Sequence, residues 1–202
     1  MTIAAPGSPG FTVWLTGLKG AGKESIARAL AGELAARGLP VEILAGGELR
    51  HNLSHGLGYS REDRVANIRR IGYVAKLLSR NGVAVVVTAI SPYRETRDEC
   101  RRMIGRFVEV YVDCPLEVCE ARDTEGVYRQ ARAGLIEDFT GISDPYEPPL
   151  APEVTVNGAS EPPEHSAARI VARLAETGYL PGARPGDPDE ELVRAALKAL
   201  QA

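Results

Sequence analysis

Short apolar runs recur along the chain, and each is rich in β-branched or aromatic residues and bounded by polar or glycine-containing turns. Runs of this length and composition are typical of strands that are buried on both faces. The pattern predicts strands at residues 11–16, 41–44, 83–87, 107–112 and 153–156.

Helical periodicity fills the intervals between these runs. In residues 61–80 one apolar stripe is formed by Val65, Ile68, Ile71, Val74, Ala75 and Leu78. Ser60 precedes this stripe and Asp63 follows three residues later, which resembles a capping box. Further helices are predicted at residues 23–37, 94–104 and 163–176. Strands that alternate with helices predict an α/β fold, with a parallel sheet flanked by helices.

Two stretches depart from this alternation. Residues 123–152 mix glycine, arginine and acidic residues and end in a proline-rich run, which predicts a mobile lid segment over a site. Residues 181–188 have the composition of a linker, and 189–202 are predicted to form a C-terminal helix. The predicted organisation is a flexible N-terminus (1–10), one domain (11–180), the linker and that helix.

Composition mainly excludes classes of protein. The chain has 202 residues and a formal net charge of −3, so we expect one domain that does not coat nucleic acid through bulk charge. No apolar run approaches the roughly 20 residues that span a bilayer, and no signal peptide is expected. Cys100, Cys114 and Cys119 lack CxxC spacing, which indicates neither a disulfide framework nor a zinc site. The expected setting is the reducing cytoplasm, without membrane or nucleic-acid partners.

A glycine-rich loop separates the first predicted strand from the first predicted helix. It reads Gly17-Leu-Lys-Gly-Ala-Gly-Lys-Glu-Ser25 and fits the GxxxxGK pattern of phosphate loops. The glycines of such loops let backbone N–H groups wrap a phosphate at a helix N-terminus, while the lysine neutralises phosphate oxygens. The loop therefore predicts a nucleotide-phosphate site formed by Gly17, Gly20, Ala21, Gly22, Lys23 and Ser25.

This loop departs from its pattern at one position. Glu24 stands where a Ser or Thr hydroxyl holds Mg²⁺ in phosphate-loop enzymes. Its carboxylate would either ligate a metal directly or repel the nucleotide. Ser25 lies one place later, about 100° around the helix, and is a poor substitute. Lys19 is a second unusual feature, since it would supply an extra cation to the phosphates or pair with Glu24.

Further along the chain lies a series of motifs. They are Gly56-Leu-Gly-Tyr-Ser-Arg-Glu-Asp-Arg64, Asn67-Ile-Arg-Arg-Ile-Gly72, Ile90-Ser-Pro-Tyr-Arg94, Val112-Asp-Cys-Pro-Leu-Glu-Val-Cys-Glu-Ala-Arg122 and Phe139-Thr-Gly-Ile-Ser-Asp-Pro-Tyr-Glu147. This series resembles the adenylylsulfate kinases. The resemblance covers residues 11 to about 180 and implies a P-loop kinase fold. It also implies ATP/ADP as cofactor, a homodimer, and transfer of the ATP γ-phosphate to the 3′-hydroxyl of adenylylsulfate (APS) to give PAPS.

The resemblance also assigns a substrate pocket. A pocket for APS needs guanidinium groups for the phosphosulfate oxygens and aromatic faces for the base. Carried over position by position, it would be lined by Arg50, Tyr59, Arg64, Asn67, Ile90 and Ser91, with Phe139 stacking on the adenine together with Tyr59.

The departures from the family pattern concern the chemical step. The family usually has an Asp-Gly-Asp segment after the second strand, and here the same place reads Ala45-Gly46-Gly47, followed by Glu48. Glu125 and Glu137 stand where the family often has lysine in the lid. Catalytic roles therefore rest on Lys23, on Glu24 as a candidate metal ligand, and on Glu48 as a candidate replacement carboxylate. These substitutions weaken the expectation of bound Mg²⁺.

Three hypotheses follow. In the first, the chain binds adenine nucleotides (ATP/ADP, APS or PAPS) with weak or no kinase activity. In the second, it is an active adenylylsulfate kinase, with Glu24 or Glu48 recruited for metal and proton work. In the third, it phosphorylates another small alcohol or nucleotide.

Overall fold

The computed structural model describes residues 9–180 and shows one parallel sheet of five strands. The strand order is β2-β3-β1-β4-β5. These strands are β1 (Phe11–Thr16), β2 (Val41–Ala45), β3 (Ala84–Thr88), β4 (Phe107–Asp113) and β5 (Val154–Asn157). The predicted strands and their parallel arrangement are confirmed. The predicted linker, the C-terminal helix and most of the flexible N-terminus lie outside the described residues.

Helices follow most strands and cover both faces of the sheet. They are α1 (Lys23–Ala36), α2 (Gly46–Asn52), α3 (Arg61–Ser79), α4 (Arg94–Ile104), α5 (Leu116–Ala121), α6 (Val127–Arg132) and α7 (Pro163–Glu176). Helices α1 and α7 pack against each other, as do α3 and α4. The capping prediction is confirmed, because the Ser60 hydroxyl accepts a hydrogen bond from the backbone N–H of Asp63.

The core has two layers that meet at the central strand β1. Leu15 belongs to the layer that contains Leu30 of α1 and Ile170 of α7. Trp14 belongs to the opposite layer, with Ile71 of α3. Adjacent strand residues point to opposite faces, so a strand covered on both faces is apolar throughout, as the sequence of β1 is.

The loops after the strands share one edge of the sheet. All five strands are parallel, and their carboxyl ends lie together, which is where α/β proteins bind ligands. Gly17 directly follows β1 with a φ of 151°, and a Cβ there would lie 2.6 Å from the Val112 carbonyl oxygen. The glycine therefore lets the phosphate loop turn tightly across the end of β4.

The short helices were not predicted. Helix α2 has seven residues, none of them buried, so it carries no apolar stripe that a sequence pattern would reveal. Helix α6 has six residues and lies inside the predicted lid segment, 123–152, which is therefore partly helical. Within residues 9–180, no helix is both long and apolar enough to cross a membrane.

Candidate functional site

A cleft of about 880 Å³ opens at the carboxyl edge of the sheet, beside the phosphate loop. Gly22 ends that loop in the left-handed conformation, with a φ of 101°, and caps the N-terminus of α1. The unpaired N–H groups and the dipole of the first helical turn both favour an anion at this place. The local geometry is therefore that of a phosphate site.

Lys23 points its ammonium back into the phosphate loop. Its Nζ donates hydrogen bonds to the carbonyl oxygens of Gly17 (2.8 Å) and Leu18 (2.6 Å). Burial lowers the pKa of Lys23 to about 8, an effect that the Glu24 carboxylate partly opposes. An arriving phosphate would stabilise the ammonium, because opposite charges favour the ionised form.

The two other charged side chains of the loop do not pair with each other. Glu24 is exposed and lines the cleft. Lys19 instead reaches across to the lid, where its Nζ lies 3.1 Å from Oε2 of Glu125. The prediction that Lys19 pairs with Glu24 is therefore wrong for this structure, since a lid carboxylate takes that place.

The substrate-side arginines are already held in position. The Arg50 guanidinium lies 4.4 Å from the centre of the Tyr59 ring and donates to the Gly58 carbonyl (2.7 Å). Arg64 donates from Nε to the Tyr59 carbonyl (2.8 Å), and its Nη2 contacts the Asp138 carbonyl of the lid segment. Fixed guanidinium groups of this kind suit an anionic ligand, because little freedom is lost on binding.

The loop after β3 forms the floor of the substrate side. Ile90 and Ser91 line the cleft, and Ser91 has a φ of 42°. The Ser91 hydroxyl accepts from Trp14 Nε1 (3.0 Å) and donates to Thr16 Oγ1 (3.1 Å). Thr16 in turn donates to the Ile90 carbonyl (2.7 Å). The Ser91 side chain thus anchors the loop, which leaves the loop backbone to face a ligand.

Comparison with known proteins decides the family. The adenylylsulphate kinase family model matches residues 9–157. The chain belongs to the adenylyl-sulfate kinase family. The adenylyl-sulfate kinase of Rippkaea orientalis is 57% identical over 171 residues, which is 85% of this chain and 94% of that protein.

Solved structures of adenylyl-sulfate kinases share the fold. The Mycobacterium tuberculosis APS kinase CysC, in complex with AMPPNP and APS, superposes with a TM-score of 0.79 at 40% identity, covering 82% of this chain and 98% of that one. A hexameric APS kinase from Thiobacillus denitrificans gives 0.65 at 33% identity, covering 87% of this chain and 30% of that longer one. The P-loop kinase architecture implied by the sequence is therefore confirmed.

Most of the residues expected from the family resemblance meet at the cleft. Its lining includes Gly20, Ala21, Gly22, Lys23, Glu24, Ser25, Arg50, Tyr59, Arg64, Ile90, Ser91 and Phe139. Gly17 does not line the cleft, but its carbonyl oxygen accepts a hydrogen bond from Lys23, which does. Phe139 packs edge-on against Tyr128, with ring centres 4.9 Å apart, and Tyr59 is covered by Arg50. Both aromatic residues border the cleft, and stacking of adenine on them stays a prediction.

Two expected residues lie elsewhere. Of the described residues around α2, Gly46 and Gly47 line the cleft, whereas Glu48 is exposed and does not. Gly46, Gly47 and Arg50 lie on one side of α2, and Glu48 lies on the other, because successive helical residues are about 100° apart. Asn67 is only 6% exposed, and its neighbour Ile68 lines the cleft. Glu48 and Asn67 are therefore outside the cleft lining, and their roles stay predictions.

The structure adds residues that the sequence analysis did not assign to the site. The Tyr128 hydroxyl donates to the Lys19 carbonyl at 2.8 Å, which holds the phosphate loop from the lid side. Arg122 donates to the Gly158 and Ala159 carbonyls at 2.7 and 2.9 Å. Arg122 stood inside a recognised motif, which was its only signal, whereas Tyr128 lies in the unpredicted helix α6.

The residues at this site do not fit the magnesium ion that the kinase fold implies. Magnesium favours octahedral oxygen ligands, drawn from carboxylates, hydroxyls and substrate phosphates. Here the loop hydroxyl is replaced by Glu24, and Ala45 and Gly47 stand at the aspartate positions. Across residues 9–180, no cluster of three or more His, Cys, Asp or Glu side chains could hold a metal. Within the phosphate loop, Glu24 remains as the candidate ligand.

Proposed function

We propose that this chain binds ATP and APS in the cleft and transfers the ATP γ-phosphate to the APS 3′-hydroxyl, more slowly than a family member with intact carboxylates. In this reaction the 3′-oxygen forms a bond to the γ-phosphorus while the bond from that phosphorus to the β,γ-bridging oxygen breaks. The products are PAPS, ADP and the hydroxyl proton. The named relatives support this reaction, and the M. tuberculosis structure holds the ATP analogue AMPPNP together with APS.

The observation that carries the proposal is the intact set of cations around the cleft. Lys23 faces the phosphate loop at the N-terminus of α1, where it would neutralise the transferring phosphate. Arg50 and Arg64 line the opposite part of the cleft, where they would hold the phosphosulfate of APS. Positioning and charge neutralisation supply most of the catalysis in phosphoryl transfer.

The missing carboxylates set the expected rate. Loss of a general base typically lowers a rate by about 10²–10⁴-fold. This corresponds to about 3–5 kcal/mol of activation free energy. The 3′-hydroxyl proton would pass to solvent or to a carboxylate of the cleft lining, and Glu24 is the one that belongs to the phosphate loop.

A second candidate function is binding without transfer. It is favoured by Glu24, because a carboxylate in the first turn of α1 adds negative charge where the nucleotide phosphates would lie. A chain of this kind would report the level of APS or PAPS through bound nucleotide. The retained arginines are compatible with both candidates.

The test combines calorimetry with a turnover assay. The full chain would be titrated with ATP, ADP, APS and PAPS, with and without Mg²⁺, and PAPS formation would be followed over hours at high enzyme concentration. Slow PAPS formation that is lost in Lys23→Met supports transfer. Nucleotide binding without PAPS selects the second candidate, and no binding of any adenine nucleotide contradicts both. Turnover of ATP with another small alcohol or nucleotide in place of APS would test the third hypothesis.

We also infer that the chain forms a homodimer in the cytoplasm, as the family resemblance implies. Light scattering coupled to size exclusion tests the dimer, since its mass would be twice the chain mass of 21.6 kDa. A mass of one or of six chains would contradict it.

A further inference from the structure

Lys19 occupies an unusual place in the phosphate loop. The sequence has four lysines, and two of them, Lys19 and Lys23, lie in this loop. Lys19 lines the cleft, and its backbone is held by the bond from the Tyr128 hydroxyl to its carbonyl. Its ammonium is close enough to Lys23 to lower the pKa of that residue. The two ammonium groups therefore act on the same region of the loop.

The partner of Lys19 is weakly bound. The Lys19 and Glu125 side chains are 40% and 67% exposed, and their single contact is 3.1 Å long. Exposed ion pairs of this kind contribute little, because water screens them and both side chains lose freedom. Contacts from an ammonium to phosphate oxygens are charge-assisted hydrogen bonds, and these are stronger. An incoming polyphosphate can therefore displace Glu125.

The same loop lacks the hydroxyl that holds a divalent cation in phosphate-loop enzymes. Glu24 replaces the hydroxyl, and it offsets part of the charge that Lys23 provides. Ala45 and Gly47 provide no oxygen ligands from their side chains. A nucleoside triphosphate bound here would need a positive charge from another source, since its phosphates repel one another and Glu24.

We propose that Lys19 supplies this charge: its ammonium leaves Glu125 and binds the terminal phosphates, so that the chain binds nucleoside di- and triphosphates without a divalent metal. This inference rests on the proposed function, because it concerns the same cleft. It assigns Lys19 as a binding residue and Glu125 as the group that holds Lys19 in the absence of nucleotide.

The test compares nucleotide affinity in EDTA and in Mg²⁺. The full chain is titrated with ADP and with AMPPNP, alongside the variants Lys19→Gln and Lys76→Gln. Lys76 lies on α3 outside the cleft lining, so its variant removes the same charge away from the site. We expect wild-type affinities in EDTA and Mg²⁺ to agree within about threefold. We expect Lys19→Gln to weaken binding in EDTA by about tenfold or more, and Lys76→Gln to leave it unchanged.

A third variant tests the role of Glu125. Glu125→Gln removes the competitor for Lys19 and should tighten metal-free binding by about two- to threefold. This gain should vanish in the double variant with Lys19→Gln. A variant with a disrupted phosphate loop would bind nucleotide more weakly. A gain of affinity in Glu125→Gln therefore cannot result from loss of structure.

The outcomes distinguish the two proposals. Wild-type binding that requires Mg²⁺ overturns the role of Lys19 and leaves the proposed kinase function standing. Equal affinities of wild type and Lys19→Gln in EDTA also overturn that role. Absence of nucleotide binding in both buffers overturns the proposed function, and this inference with it.

Discussion

The two sides of the cleft differ in how far they depart from the family pattern. The acceptor side consists of Arg50, Tyr59, Arg64 and the loop of Ile90 and Ser91, and it keeps the residues that the family resemblance assigns. The transfer side consists of the phosphate loop and residues 45–47, and there the hydroxyl and both aspartates are replaced. The residues proposed for substrate recognition therefore keep the pattern that the resemblance implies, whereas those proposed for phosphoryl transfer depart from it.

The two sides also differ in how their side chains are held. On the acceptor side, the arginines donate to backbone carbonyls and the Ser91 hydroxyl lies in a buried network. On the transfer side, Glu24 is exposed and Lys19 makes one exposed contact with the lid. Buried, bonded groups resist substitution because each loss leaves partners unsatisfied, whereas exposed charges change at little cost. The comparison indicates that a change of chemistry is tolerated here without loss of the fold.

The largest effect is expected from restoring the transfer side. In the double variant Glu24→Ser with Gly47→Asp, the rate of PAPS formation should rise by about 10²–10⁴-fold, because a carboxylate and a hydroxyl return to the cleft. A Cβ at Gly47 meets no atom within 4 Å, so the aspartate has room. Gly32→Asp, at an equally open and exposed site on α1, is the matched control. An unchanged rate would contradict the view that the substitutions on the transfer side limit PAPS formation.

The next largest effect is expected on stability, from a buried arginine that holds the acceptor side in place. Arg97 is 1% exposed, and it contacts Glu109 at 2.6 Å and donates to the Ser91 carbonyl at 2.6 Å. Arg97→Met should lower the free energy of unfolding by about 3–5 kcal/mol, because the buried Glu109 carboxylate loses its closest partner and keeps only the longer contact with Arg101, at 3.4 Å. Urea unfolding measures the loss.

The control for this prediction is another ion pair of the same kind, at the surface. Arg69 contacts Glu99 at 2.7 Å, but its side chain is 54% exposed. Arg69→Met should change the urea midpoint much less than Arg97→Met. Equal shifts would contradict the view that burial makes the acceptor side rigid.

A smaller effect is expected from pH on the transfer side. Burial lowers the pKa of Lys23 to about 8, so the ammonium form predominates below pH 8 and is lost as the pH rises above it. Phosphates bind the ammonium form, and nucleotide affinity should therefore fall above pH 8, by up to about tenfold per pH unit. Lys23→Arg keeps its charge over this range and should give a flat profile, even if its affinity is lower. A flat profile in the wild type would contradict the lowered pKa.

Long helices could be predicted from the sequence, whereas short ones could not, because an apolar periodicity needs several turns to become visible. Helix α3 has 19 residues and a full apolar stripe, and its position and cap were predicted. Helices α2 and α6 have seven and six residues, fewer than two full turns, so no periodicity could develop. A seven-residue helix was nevertheless enough to turn Glu48 away from the cleft and Gly47 into it.

The candidate site was predictable where residues act through a local motif. Lys23 and Arg64 were found because neighbours along the chain identify them. The Lys19–Glu125 contact joins residues 106 positions apart, and no local pattern reports such a pair. Only the fold brings the lid to the phosphate loop.

The smallest effects are expected at Tyr59, on the acceptor side. Tyr59→Phe should change APS affinity by less than about twofold, because the ring face, rather than the hydroxyl, contacts Arg50 and would contact the base. Tyr59→Ala should weaken APS binding by about tenfold, since stacking of a base on an aromatic ring contributes about 1–3 kcal/mol. Calorimetry with APS and with ADP separates the two sides of the cleft, because the ADP affinity should stay constant in both variants. An equal loss for ADP would show that Tyr59 supports the whole cleft, and that the acceptor side is not an independent unit.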